Sequence, residues 1–226
     1  MDVYNISKVT SAIITIIIPF ICGIRVFLLN RKNWLNRWFF LFFMSSSFGF
    51  LFYTIYHLIT NNASVIIPLM ITAQFFFNFI CITLLMTVLV LEKYEKVAMS
   101  IKYIGAILLL FIIMSIGYLI WPPQLDMISY TSGIINTMTL LVLQIFVNVL
   151  RIAICIYAIY KYVFFTKKLK NELKNKIQWF CVGVIIAVIG LFLNLYGGAF
   201  NSILFEIMAL IVIDAGFIVV FKGFLI

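Results

Sequence analysis

Seven separate stretches of about 20 predominantly apolar residues, the length needed to cross a bilayer as an α-helix, dominate this chain. They occupy 9–29, 38–59, 65–91, 102–121, 137–160, 177–198 and 203–221, leaving 71 of 226 residues for tails and loops. Only 10% of residues are charged and mean hydropathy is +1.22, whereas soluble domains carry roughly a quarter charged residues. A folded globule could not hide that much apolar surface from water. The expected fold is an all-α membrane protein, a single seven-transmembrane helix bundle over 1–226. The longest connections, 122–136 and 161–176, have 15 and 16 residues and leave no room for a soluble catalytic domain.

The net charge of +9 would suit nucleic acid if it were spread over one surface, but it is not. Arg25, Arg31, Lys32 and Arg37 cluster around the first loop and Lys93, Lys96 and Lys102 around the third. The fifth holds Lys161, Lys167, Lys168, Lys170, Lys174 and Lys176, and the second, fourth and sixth loops hold no Lys or Arg. Alternation of this kind places the basic loops in the cytoplasm, with the N-terminus outside and the C-terminus inside a cell membrane. The expected surroundings are the lipid bilayer, with no nucleic-acid partner. The basic 167–176 segment is expected to extend a helix toward the cytoplasm, beside anionic lipid or a docking protein.

Punctuation is sparse. Pro19 is expected to kink the first span, Pro68 to sit in the first turn of the third, and Trp121-Pro122-Pro123 to stop the fourth. Trp34 and Trp38 suit the membrane interface. No basic n-region or small-residue cleavage site precedes the first span, so it is expected to be retained rather than removed as a signal peptide. Cys22, Cys81, Cys155 and Cys181 all fall within spans and read as packing residues. Asn5 and Asn62 begin N-x-S triplets on the expected outer side, the pattern of a glycosylation acceptor. No tandem or inverted repeat is evident.

Polar groups within the bilayer are expensive, which makes them the place to look for function. Gln144, Asn148 and Arg151 fall on one face of the fifth span, with Thr137 and Cys155 continuing the stripe; Asp214 lies near the middle of the seventh. Arg151 precedes Lys161 by ten residues and Asp214 precedes Lys222 by eight. At about 1.5 Å per residue these are depths of about 15 and 12 Å from the basic end. Their similar depth predicts an Arg151–Asp214 ion pair, either a structural clamp or a switch. Gln74 and Asn78 share a face of the third span, and Tyr53, Tyr56, His57 and Asn194 lie at similar outer levels. Together these residues predict an outward-facing polar pocket closed beneath by packing. The fourth span is nearly all apolar and is expected at the periphery. Gly183, Ala187, Gly190, Asn194 and Gly197 read as a close-packing stripe.

A lone histidine, no HExxH and no cysteine cluster argue against zinc, and neither a phosphate loop nor GxGD or GxSG is present. No enzymatic activity, metal or other cofactor is expected. Microbial rhodopsins share the outline, but they attach retinal one turn after an aspartate, where this chain has Ile218.

Gln74 to Tyr94 (QFFFNFICITLLMTVLVLEKY) forms a glutamine-bearing third span ending in an acidic-aromatic turn. Lys167 to Gly190 is a charged turn re-entering as a Gly-spaced span, and Gly-Phe pairs mark the seventh. In these features the chain resembles the seven-transmembrane N-terminal sensor regions of membrane histidine kinases. The resemblance implies an input module for an external or membrane-borne signal. Since the sequence ends at Ile226 without an output domain, signalling would need a separate membrane or cytoplasmic protein. The expected ligand, a small molecule or lipid, would contact Gln74, Asn78, Gln144 and Asn148 and bias Arg151 and Asp214. A small transporter or channel, and a structural subunit of a larger membrane complex, are the competing readings.

Overall fold

Helix boundaries in the computed structural model, which describes residues 3–59, 61–93, 98–167 and 171–225, follow the apolar segments closely. The helices are α1 (Val3–Leu29), α2 (Trp34–Leu58), α3 (Ala63–Glu92), α4 (Ile101–Ile120), a short α5 (Met127–Thr131), α6 (Leu141–Thr166), α7 (Asn171–Ala199) and α8 (Ile203–Leu225). All except α5 are long and apolar enough to cross a membrane. The chain is a multi-pass, seven-span helical bundle, with α6, α7 and α8 forming spans five to seven.

Starts and stops have local causes. Asn33 caps α2 by accepting from the Leu35 amide at 2.8 Å. Asn62 caps α3 through Ser64 N and Oγ at 3.2 and 2.7 Å, satisfying amides that have no partner inside the helix. Leaving α4, the chain makes a two-residue antiparallel ladder, β1 (Gln124–Leu125) with β2 (Thr137–Met138), around α5.

Several boundaries differ from expectation. The first span starts at Val3, because two polar residues ahead of the apolar run find partners in the bundle. Asn5 is buried, donating to Gly133 O at 2.8 Å and accepting from Ile135 N at 3.2 Å; Lys8 pairs with Glu206. Asn5 is therefore closed to a glycan in the folded chain. Thr137 belongs to β2, so the fifth span begins only at Leu141. Pro68 falls in the second turn of α3, not the first. As expected of the basic segment, Lys174 and Lys176 extend a helix, α7, which begins at Asn171; Lys168 and Lys170 lie outside the described residues.

Packing order creates a ring. α1 packs on α2, α2 on α3, α3 on α6, α6 on α7, α7 on α8, and α8 returns to α1. α4 stands outside the ring against α3 and α6, as its apolar surface led one to expect. Small residues bring α7 and α8 together: a Cβ added at Gly216 would lie 2.7 Å from Gly183 O, and one at Gly190 would lie 3.0 Å from Ala209 O. Toward the basic end the ring is filled by rings of another kind. Phe39, Phe43, Phe180 and Phe224 meet largely edge to face, and Tyr162 packs on Phe180 at 5.3 Å while donating to Thr87 at 2.5 Å.

Candidate ligand cavity within the helix ring

The opposite end of the ring is not filled. A cavity of about 340 Å³ runs inward from the level of Lys8, Thr139 and Glu206 past Gln74, Gln144, Asn148, Arg151 and Cys155 to apolar residues nearer the basic end, Phe42, Leu84, Val184 and Val220. Its volume falls within the roughly 300–1,000 Å³ of small-molecule sites. Aromatic side chains, among them Phe50, Tyr53, Tyr56, Phe77 and Phe217, form much of its wall.

Two helix faces build the deep polar wall. On α3, Gln74 and Asn78 are one turn apart and project to the same side. On α6, Gln144, Asn148 and Arg151 do likewise. The packing of α3 against α6 brings the two sets together. Arg151 Nε donates to Asn78 Oδ1 at 2.9 Å, and Nη2 reaches Asn78 Oδ1 at 2.7 Å and Gln74 Oε1 at 2.9 Å. Asn78 is oriented for this task from behind, because its Nδ2 donates to Met114 O at 2.9 Å and Ser115 Oγ at 3.1 Å on α4. The Tyr118 hydroxyl donates to Gln74 Oε1 at 3.3 Å. The peripheral helix thus fixes the amide that holds the arginine. Phe77 adds a ring 6.0 Å from the guanidinium carbon.

Electrostatically this wall is unbalanced. Arg151 is 4% exposed, its bonded neighbours are neutral amides, and among the described residues no carboxylate pairs with it. At the mouth, Lys8 is 1% exposed and sits 2.7 Å from Glu206 Oε2, so those two charges cancel. Among the described residues, one positive charge remains on the lining. Asn148 supplies a second uncompensated group: its Nδ2 donates to Gln144 O at 2.9 Å, but its buried Oδ1 has no partner among the described residues. A buried acceptor left unpaired costs about 1–3 kcal/mol.

The expected Arg151–Asp214 pair does not form. Asp214 Oδ2 accepts a hydrogen bond from Ser11 Oγ on α1, and the residue is absent from the cavity wall. α7 stands between α6 and α8 in the ring, so the two charged side chains point to different interfaces despite their common depth. Five of the expected polar residues, Gln74, Asn78, Gln144, Asn148 and Arg151, do line or support one cavity; Asp214 belongs to the α1–α8 seam.

Sequence reasoning missed the Lys8–Glu206 pair and the part played by Tyr118. The available signal was that Lys8 is one helical turn ahead of Ala12 and two ahead of Thr15, while Glu206 opens the last span at the same end. His57 lines the cavity, with Nδ1 2.9 Å from Tyr53 O and its ring tilted against those of Tyr53 and Tyr56. Beneath Arg151, the Cys81 and Cys155 thiols meet across α3 and α6 as free cysteines. Comparison of the chain with protein-family models, curated proteins and solved structures found no match.

Proposed function

We propose that this chain is a receptor-like seven-helix module of the cell membrane that binds a small molecule from the side opposite its basic loops and relays its occupancy to a separate signalling protein. The observation that carries the reading is a buried arginine without a counter-ion in the wall of a ligand-sized cavity. A charge buried without an opposite charge is costly in a membrane protein and marks functional positions. An occupant that compensates it gains affinity from the same deficit.

Position supports sensing over conduction. Polar groups crowd the half of the ring opposite the basic loops, while the half beside those loops is packed with Phe39, Phe43, Phe180, Phe224 and Tyr162, which interrupts a polar path. No chemistry on the occupant is proposed, since the wall offers donors, acceptors and aromatic surface without a paired nucleophile and base. Ligand binding acts on the ring only through its differential affinity for two arrangements of the helices. The basic loops, including Lys174 and Lys176 at the start of α7, are the surface through which that difference would be read.

Native mass spectrometry of the protein extracted gently from its own membrane tests the reading. A stoichiometric small molecule is the expected result. A stoichiometric protein partner with an empty cavity would overturn it in favour of a complex subunit.

A further inference from the structure

Within the receptor reading, on which this inference rests, the chemistry of the cavity wall restricts what can occupy it. Three features act together. Arg151 presents a positive charge that neutral amides solvate but do not neutralise. Asn148, 3% exposed and three residues earlier on the same helix face, presents a buried acceptor oxygen with no donor among the described residues. The remaining wall is largely aromatic and aliphatic, and the mouth is already charge-balanced by Lys8 and Glu206.

A neutral ligand would leave the guanidinium uncompensated and a cationic one would add to the repulsion. An anionic oxygen group is the complement, because charge-assisted hydrogen bonds between guanidinium and carboxylate are about twice as strong as neutral ones. We propose that the cavity takes a small amphipathic carboxylate, with its anionic group at Arg151, an O–H or N–H donor at Asn148 Oδ1, and its apolar body among Phe50, Phe77 and Phe217. Residues three apart on a helix have Cβ atoms about 5–6 Å apart, so the donor belongs within a few bonds of the carboxylate. A fatty acid taken from the membrane and a soluble aromatic acid share the head-group chemistry, and the test separates them.

The full chain in lipid nanodiscs is titrated calorimetrically with phenylacetate, phenylacetamide, phenethylamine, mandelate and decanoate. Phenylacetate is expected to bind at least about tenfold more tightly than phenylacetamide, with no binding of phenethylamine. Mandelate, which adds a hydroxyl beside the carboxylate, is expected to bind more tightly than phenylacetate. Binding of decanoate in place of phenylacetate supports the carboxylate site and assigns its ligand to the lipid. Asn148→Asp places a carboxylate one turn from Arg151 and is expected to abolish binding of the acids while raising the unfolding temperature of the empty protein.

Equal affinity for acid and amide, or acid binding unchanged in Asn148→Asp, would overturn the carboxylate assignment and leave the receptor reading in place. Failure of every probe overturns the assignment whatever the fate of the variant. Failure together with a stoichiometric protein partner in the native membrane extract overturns the receptor reading as well.

Discussion

Asn78 illustrates how one side chain can decide the fate of another in a bilayer. Its Oδ1 takes two hydrogen bonds from Arg151, and its Nδ2 is anchored on α4. Replacing it with leucine strands a buried cation, whereas replacing the arginine with methionine removes the charge and leaves only neutral amides to re-pair. Stranding a buried charge by removing its partner typically costs about 3–5 kcal/mol, and replacing both partners with apolar residues is often near neutral, whereas a neutral acceptor left unpaired costs about 1–3 kcal/mol. Asn78→Leu is therefore expected to lower thermal stability in detergent substantially more than Arg151→Met, and the double variant to recover most of the loss. Equal destabilisation by both single variants would contradict this account. The roles of Gln74, Asn78, Gln144, Asn148 and Arg151 as a polar set were legible in the sequence, since membrane segments seldom carry such residues without a partner. Asp214 was legible as buried, but not as the partner of Ser11.

Among the elements, the α7–α8 pair depends on missing side chains. A methyl at Gly216 would meet Gly183 O at 2.7 Å and Ala187 N at 3.0 Å, both backbone atoms, while one at Gly105 on α4 meets nothing within 4 Å. Gly216→Val is expected to lose about 1–3 kcal/mol by forced separation of the helices, with Gly105→Val far milder; thermal unfolding of the two variants side by side distinguishes them. Helix α5 depends on the opposite, an added group. Asp126 accepts from Ile128 N and Ser129 N and binds the Ser129 hydroxyl at 2.6 Å. The Ser129 hydroxyl, then the Ser129 amide, holds its carboxyl below the ordinary value of 3.8. The contribution of a carboxyl lowered on folding is complete above the unfolded value and is lost as pH falls through the folded one. Protection of the Ile128 and Ser129 amides against hydrogen exchange, corrected for the intrinsic rate, is therefore expected to hold at neutral pH and collapse in strong acid. Loss of protection near pH 6 would exclude the carboxylate cap as its cause.

For the whole molecule, closure of the ring requires that the first and last helices meet. Ser11 with Asp214 ties α1 to α8 in the middle, and Lys8 with Glu206 ties them at the mouth of the cavity. Lys8→Glu is expected to destabilise the ring by opposing two acids in a buried seam, and exchange of the charges in Lys8→Glu with Glu206→Lys to restore much of the stability. Unfolding temperatures of the two single variants and the exchange give the coupling directly, and complete additivity would show that the pair does not close the ring. The amino-acid sequence alone determined the number of spans, their approximate limits, the segregation of basic loops and the polar faces that avoid lipid. Each of these is decided within one segment, by the transfer of some 20 residues and their charges between water and hydrocarbon. Tertiary structure decided which polar face meets which. Residue spacing measures depth along a helix, but the rotation of each helix about its axis and the order of helices around the ring come from packing between distant segments. Arg151 and Asp214 share a depth and still do not meet, because α7 and its glycines lie between them.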